Sequence, residues 1–317
     1  MFKLIQNELM KIFKRPGTYV MIGLLVLIVG IVGTVIKVQE NQSVPNQTNW
    51  RQEVQQDLKE YKSELDDMGN GNTTLTNYLK KEIAVNEYRL EHNIPPTQKS
   101  SVWTFVDECS GIIQFAGLFT IIIAAGIVAS EFNWGTIKLL LIRPISRSRI
   151  LIAKYLTVVS FALMMLVLLF GLSSLIGVIL FGTPDQAVPY LNFVNGKVTE
   201  QSMFFHLVVF YGLKSITMIM LTTMAFMISA VFRNSSLAIG ISIFLMFTGS
   251  QLTSILAPKF EWAKFVLFAN TDLIQYFEGM PMVEGMTLTF SIIMLVVYFL
   301  LFQFLAFSVF KKRDVAA

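Results

Sequence analysis

The most informative polar residues occupy positions 131–154, between two long apolar runs. Residues 139–142 are apolar but too few to cross a membrane, and Pro144 ends any helix that they form. Ser146 then stands where an N-cap would start the next helix. A short surface helix with apolar residues and arginines at its edges suits protein binding. The pattern therefore predicts a docking surface for a partner.

Residues for catalysis or metal binding are scarce. The chain has two His and one Cys, which excludes a disulfide within the chain and disfavours a zinc site. The acidic residues concentrate in polar segments, where they are typical of a solvated face. The sequence has no Gly-x-x-x-x-Gly-Lys phosphate loop, so we do not expect this chain to hydrolyse ATP.

The elements around this docking surface are membrane spans. The chain is 54% hydrophobic and 15% charged, whereas soluble domains carry about 25% charged residues. The first apolar stretch is too long for a cleavable signal peptide and lacks a cleavage site. The sequence predicts an all-α integral membrane protein with six transmembrane helices. The expected spans are residues 17–38, 108–130, 155–181, 206–231, 237–256 and 286–310.

The distribution of Lys and Arg predicts the orientation of these spans. With the N-terminus inside, the inner segments hold 13 basic and three acidic residues, and the outer segments hold 10 basic and 18 acidic residues. An excess of positive charge marks cytoplasmic segments, so we expect both termini in the cytoplasm. The basic character of the chain follows from this topology and does not indicate nucleic-acid binding.

The segments outside the spans differ in character. Residues 1–16 place apolar side chains on one helical face before Pro16-Gly17, which predicts an amphipathic helix in the membrane interface. This helix either anchors in lipid or also contacts a partner. The apolar face of this amphipathic helix consists of Phe2, Ile5, Leu9, Ile12 and Phe13.

Residues 39–107 are predicted to form an extracytoplasmic helical hairpin between spans 1 and 2, whose apolar stripes pack on each other or on a second copy.

The other connections are shorter. Residues 182–205 form an outer loop, 232–236 an inner turn, 257–285 an outer interfacial loop rich in aromatic residues, and 311–317 a cytoplasmic tail. Aromatic side chains favour the headgroup level of the bilayer. Lys214 lies within the fourth span, and we expect it to extend toward the outer boundary by snorkelling.

Residues 131–154 are called the docking segment from here on. The order of residues in this segment resembles that of the ABC-2 type permeases, the membrane subunits of ATP-driven exporters. In that family the second span is followed by Glu, a Gly-Thr pair, a leucine run, Pro, Ser-Arg and a Lys near the next span. The matching residues here are Glu131, Gly135, Thr136, Leu139, Leu140, Leu141, Pro144, Ser146, Arg147 and Lys154. The amphipathic helix, the six spans and the aromatic loop before span 6 fit as well. The large segment after span 1 departs from the minimal family pattern.

The resemblance implies that residues 131–154 form a cytoplasmic coupling loop seated in a groove of the ATP-binding subunit. Trp134 would anchor at the interface, and Glu131 would pair with a nearby Arg or Lys. The simpler alternative is an ordinary positively charged inner loop. The residues implied in coupling are Glu131, Trp134, Gly135, Thr136, Leu139, Leu140, Arg143, Pro144, Arg147, Arg149 and Lys154.

The resemblance also implies partners. ATP and Mg²⁺ would be bound by two copies of a separate ABC ATP-binding subunit, and a second permease copy or a paired permease would complete the transporter among membrane lipids. This chain would bind no cofactor or metal, and it would reside in a bacterial cell membrane. The cargo class would be an antimicrobial peptide, a drug, a lipid-like molecule or an ion. The candidate residues lining the pathway, from spans 2 and 5, are Gln114, Thr120, Ser242, Thr248 and Gln251.

Two other functions compete with this interpretation. An ion-coupled secondary transporter or channel would place acidic residues in mid-membrane, yet no Asp or Glu lies well inside a predicted span. A membrane sensor with a binding hairpin outside would need a cytoplasmic output domain, and the inner segments are too short for one.

Overall fold

Six long helices build the part of the molecule that spans the membrane. The computed structural model describes residues 1–42, 50–68, 73–96, 100–136, 145–183, 189–194, 196–277 and 281–312. Within these residues, the helices long and apolar enough to cross a membrane are Pro16–Gln42, Val102–Asn133, Arg147–Phe181, Met203–Phe232, Ser235–Leu256 and Leu288–Lys312. The prediction of an all-α integral membrane protein with six transmembrane helices is confirmed.

The helices are numbered in chain order. They are α1 (Phe2–Phe13), α2 (Pro16–Gln42), α3 (Trp50–Met68), α4 (Thr73–His92), α5 (Val102–Glu108), α6 (Ile113–Asn133), α7 (Arg147–Phe181), α8 (Met203–Phe232), α9 (Ser235–Leu256), α10 (Leu267–Asn270) and α11 (Leu288–Lys312). The second span consists of α5, a 3-10 turn at Cys109–Ile112 and α6. It therefore begins six residues earlier than predicted, where Ser101 caps α5 by accepting a hydrogen bond from the Thr104 amide.

The second and fourth spans lie at the centre of the bundle. The most apolar 18-residue window of the second span is 78% buried, and that of α8 is 61% buried. The corresponding windows of the other four spans are only 17–22% buried. Four spans therefore surround a central pair and expose most of their apolar surface, as helices facing lipid or other subunits do.

The third span is longer than a bilayer is thick. The 35 residues of α7 extend about 52 Å at the rise of an α-helix, against a hydrocarbon layer of about 30 Å. The helix begins at Arg147, and the Ser146 hydroxyl caps it as predicted by accepting a 3.4 Å hydrogen bond from the Arg149 amide. Residues 147–154 therefore form the first turns of α7, ahead of the predicted start of the third span at residue 155.

The predicted helical hairpin is α3 and α4. The two helices contact each other, and Val54 and Leu58 of α3 and Leu79 of α4 are buried. An ion pair of 2.7 Å joins Lys62 to Glu87 across them. Of the two predicted arrangements, the structure has the stripes packed within one chain.

A β-hairpin lies in the predicted outer loop of residues 182–205. Strand β1 (Tyr190–Val194) pairs antiparallel with β2 (Lys197–Gln201), and Tyr190 lies opposite Gln201. Gly196, at the turn, has a φ of +78°, which glycine adopts without strain. The Tyr88 hydroxyl of α4 donates to Glu200 at 3.2 Å, so the helical hairpin and the β-hairpin are joined.

The aromatic loop between α9 and α11 is folded onto the bundle. Asn270 is fully buried, and its amide nitrogen donates to the carbonyls of Lys264 and Val266 at 2.8 Å. Its side-chain oxygen accepts from the Ser291 hydroxyl of α11 at 2.7 Å. Four aromatic side chains nonetheless remain exposed, namely Phe260, Trp262, Phe265 and Phe277. Their location at the headgroup level stays a prediction.

Candidate functional site

The first part of the site is α1, the predicted amphipathic helix. It lies against α7 and α2, with Ile12 buried and Ile5 partly buried toward the bundle. Glu8 lies on this same face, three residues after Ile5 and four before Ile12, and it is only 8% exposed. Phe2 is 79% exposed, so the predicted apolar face is buried from Ile5 onward only. The Thr18 hydroxyl donates to the Ile12 carbonyl at 2.6 Å and fixes α1 to the start of α2.

The other two parts are the end of α6 and the start of α7. Glu131 lies in the last turn of α6 and is 9% exposed. Lys154 lies two turns into α7 and is 1% exposed. Both residues border the docking segment, one on each side. The segment's residues 137–144 lie outside the described residues, including the predicted coupling residues Leu139, Leu140, Arg143 and Pro144.

Four charged side chains from these three helices form one network, which we call the charge cluster: Glu8, Lys11, Glu131 and Lys154. The Lys154 Nζ donates to Glu8 Oε2 at 2.7 Å, to Glu131 Oε1 at 3.0 Å and to the Ile127 carbonyl at 3.0 Å. The Lys11 Nζ donates to Glu8 Oε1 at 2.7 Å and to Glu131 Oε1 at 3.2 Å. Two cations thus face two carboxylates, and the cluster is neutral overall.

Burial makes this pairing obligatory. Isolated charges are costly in a poorly solvated site, and the cost is offset only when partners and hydrogen bonds are present. Lys154 has three acceptors for its three N–H groups. Partial burial lowers the pKa of Lys11, but its hydrogen bonds and charge attraction to Glu8 and Glu131 outweigh this effect and raise the pKa above its usual value. Lys11 therefore remains protonated and positively charged at neutral pH.

The residues after Glu131 turn the chain sharply. Gly135 has a φ of +68°, a backbone conformation that a side chain would strain. The Thr136 hydroxyl donates to the Glu131 carboxylate, so the turn folds back onto the cluster. Trp134 is 67% exposed, and the Arg15 guanidinium lies 5.4 Å from its ring centroid. The predicted interfacial position of Trp134 fits this exposure and stays a prediction.

The arginines at the start of α7 have different surroundings. Arg147 donates from Nη1 to the Lys311 carbonyl at 3.2 Å, which links α7 to the end of α11. Arg149 contributes its backbone amide to the Ser146 cap. The coupling role of both arginines stays a prediction.

The candidate pathway residues differ in burial, and their role stays a prediction. Thr120 and Ser242 are fully buried, while Gln114 and Gln251 are exposed. The hydroxyls of Thr120 and Thr248 donate to the carbonyls of Ala116 and Phe244, four residues earlier in their own helices. Such bonds satisfy a hydroxyl locally, so these two side chains have a structural explanation. Lys214 does not simply snorkel, because its Nζ pairs with Asp272 of the outer loop at 2.9 Å.

Glu131 has two basic partners in the structure, Lys154 and Lys11, where the resemblance implied one. The roles of Glu8 and Lys11 in this cluster were not predicted. A signal for Glu8 is present: it lies between Ile5 and Ile12 at helical spacing, so it shares their face. An acid in the middle of an apolar face predicts a buried cationic partner.

The geometry of the charge cluster limits what it can do. Each carboxylate accepts hydrogen bonds from a lysine, so both are already paired with cations. The cluster instead holds α1, α6 and α7 in one relative position through charge-assisted hydrogen bonds. The charge cluster thus connects these three helices at the two ends of the docking segment, Glu131 and Lys154.

Comparison with known proteins defines the family. Residues 73–316 match the family described as "Protein of unknown function (DUF2705)". The chain is 48% identical over 318 positions to the uncharacterized protein YhcI of Bacillus subtilis (strain 168), with the full length of both chains covered. It is 33% identical over 199 residues to the uncharacterized membrane protein YdbK of the same organism, covering 62% of this chain and 76% of that one. Since the family match extends over more than half of the sequence, this multi-pass membrane protein belongs to the DUF2705 family.

Proposed function

We propose that this chain is the permease subunit of an ATP-driven ABC transporter, an exporter that couples to a separate ATPase through residues 131–154. The observation that carries this proposal is the charge cluster. It joins both flanks of the docking segment to the amphipathic helix α1, through Glu131 on one side and Lys154 on the other. A displacement of the docking segment would therefore move α1, α6 and α7 together.

The position of α6 supports this coupling role. It ends at the docking segment and continues the most buried span of the bundle. Displacing its end moves a helix that contacts α8, α9 and α7. Buried, paired charges resist separation, so a displacement of the segment would be transmitted to the span instead of being absorbed locally.

The sequence supports an external source of energy. No phosphate loop occurs in the chain, so ATP and Mg²⁺ would be bound by the partner ATPase, present in two copies. A second permease copy or a paired permease would complete the pathway. We further propose the cell membrane as the location, with both termini cytoplasmic, because positive charge concentrates in the segments assigned to the inside.

Replacing Leu139 and Leu140 with serine tests the docking segment. Buried apolar anchors of an interface are commonly worth about 2 kcal/mol or more each, so assembly should weaken by more than about tenfold. The measurement is co-purification with a co-expressed candidate ATP-binding-cassette subunit from the same organism, together with efflux from cells. Membrane insertion should be unchanged, since the six spans are intact.

A charge reversal provides a second variant with a matched control. Arg147→Glu should impair coupling, because charge at the rim of an interface guides docking. Lys312→Glu makes the same change in an exposed residue at the end of α11 and should have little effect. Normal assembly and efflux in the double-serine variant would contradict the proposal and leave the segment as a topology determinant. Ligand binding by the outer hairpin without any ATPase partner would instead favour a sensor.

A further inference from the structure

A cavity of about 470 Å³ lies at the predicted outer end of the bundle, away from the charge cluster. Its walls come from four elements: the end of α5, the β-hairpin, the first three turns of α8 and the loop before α11. Because α8 contributes residues from 205 to 213, the cavity follows that helix about 12 Å along its axis. A volume of this kind is large enough for a small organic molecule.

Two carboxylates open into this cavity. Asp107 is partly buried and Glu108 is exposed, and both lie at the junction of α5 with the 3-10 turn. Neither carboxylate has an ion-pair partner within the described ranges 1–42, 50–68, 73–96, 100–136, 145–183, 189–194, 196–277 and 281–312. Among the residues that the structure describes, no Lys or Arg lines the cavity. The cavity is therefore negative in character.

Several other residues that line the cavity are aromatic. Tyr190 of β1 stacks on His206 of α8 with ring centroids 3.5 Å apart and planes 12° from parallel. The ring centroids of His206 and Phe210 are 5.9 Å apart, and Phe277 of the outer loop also lines the cavity. Aromatic faces attract cations, and carboxylates do so more strongly. A cavity lined by both aromatic rings and two carboxylates can recognise an organic cation with an apolar body.

The cations around the cavity do not cancel this character. Lys214 lies next to the lining residue Leu213, but its charge is balanced by Asp272 at 2.9 Å. Lys81 interacts electrostatically with His206 from outside the lining. Both acids of the cavity therefore remain available to a ligand.

We propose that this cavity is a binding site for an organic cation, an amine or a quaternary or phosphonium ion with an aromatic or aliphatic body. The ammonium or phosphonium centre lies near Asp107 and Glu108, and the apolar body lies against Tyr190 and Phe210. All the residues named here belong to one chain, so the proposal is independent of the transporter assignment and is tested without any ATPase.

The probe is tetraphenylphosphonium, with tetraphenylborate as an ion of the same shape and opposite charge. The full-length chain, purified in detergent, should bind the phosphonium saturably by isothermal titration calorimetry and should not bind the borate. Asp107→Asn with Glu108→Gln should weaken phosphonium binding by about tenfold or more. Glu261→Gln removes one exposed acid of the same outer loop region, outside the cavity, and should leave binding unchanged.

A second measurement does not depend on the acid variants. Ser110 lines the cavity, so Ser110→Cys in a Cys109→Ser background should react with a methanethiosulfonate reagent. A positively charged reagent should react faster than a negatively charged one, and tetraphenylphosphonium should protect the thiol. Equal binding of phosphonium and borate, unchanged binding by the double acid variant, or labelling that the phosphonium does not slow would each overturn the proposal.

Discussion

At the scale of single residues, Lys154 is the centre of the charge cluster. Its side chain is almost wholly buried and contacts two carboxylates from two other helices. Without it, Glu8 and Glu131 would lie close together with only Lys11, which is 40% exposed, to balance them. Like charges in such a site repel each other and lack solvent.

Lys154→Met should therefore destabilise the protein by about 3–5 kcal/mol, the usual effect of removing one partner of a buried pair. Adding Glu8→Gln should restore much of this stability, because Glu131 and Lys11 then remain as a balanced pair. The measurement is thermal unfolding in detergent, followed by a thiol-reactive dye. Cys109 is fully buried, so it reacts only when the protein opens.

Lys14→Met is the matched control, since Lys14 is an exposed lysine at the C-cap of α1, the helix that carries Glu8. It should leave the unfolding temperature nearly unchanged. If the effects of Glu8→Gln and Lys154→Met on the unfolding temperature simply add, the two side chains are not coupled. The charge cluster would then not hold the helices together.

Glu131 could be predicted at this scale, whereas Glu8 was missed. Glu131 follows an apolar run directly, so its position at a membrane boundary is visible in a short window of sequence. Its partner Lys154 is 23 residues away, and Glu8 is 146 residues from Lys154. Contacts across such distances depend on how helices dock, and local periodicity contains no information about that.

At the scale of the elements, the outer loop packs on α9 through Gly249. A Cβ atom at this position would lie 2.4 Å from the ring of Phe268, far inside contact distance. Phe268 itself packs against the hydrophobic core. The absence of a side chain at Gly249 therefore determines how closely the aromatic loop approaches the fifth span.

Gly249→Val should destabilise the protein by about 1–3 kcal/mol, as overpacking of a core does. Adding Phe268→Ala should relieve the clash and recover part of the loss. Gly240→Val, in the same helix, introduces the same side chain where no atom lies within 4 Å of the added Cβ. The dye-based unfolding assay measures all three, and an equal effect of the two valine substitutions would refute the tight contact.

The elements themselves were largely predictable because their signals are local. A run of about 20 apolar residues identifies a span wherever it packs. The β-hairpin was missed, although Asn195-Gly196 between alternating residues is a hairpin signal. The start of α7 at Arg147 agrees with the predicted Ser146 cap, whereas Val102 begins α5 six residues before the predicted start of the second span. Hydropathy locates the apolar segment of a helix and not the polar turns that continue it.

At the scale of the whole molecule, the arrangement of the spans could not be predicted. The first and second spans are similarly apolar, yet one has a window 17% buried and the other 78% buried. Lipid and protein are equally apolar surroundings for a leucine, so composition does not distinguish a central helix from a peripheral one. The end of the central span at the docking segment is nevertheless what the proposed coupling requires.

The most direct test of the proposed function is a comparison of the purified chain with its complex. ATP hydrolysis is measured by phosphate release, and subunit number by native mass spectrometry, for the chain alone and co-expressed with a candidate ATP-binding-cassette subunit from the same organism. We expect no hydrolysis by the chain alone, and hydrolysis by a complex that contains two ATPase copies and two permease subunits. Hydrolysis by the isolated chain, or failure of the two proteins to form any complex, would contradict it.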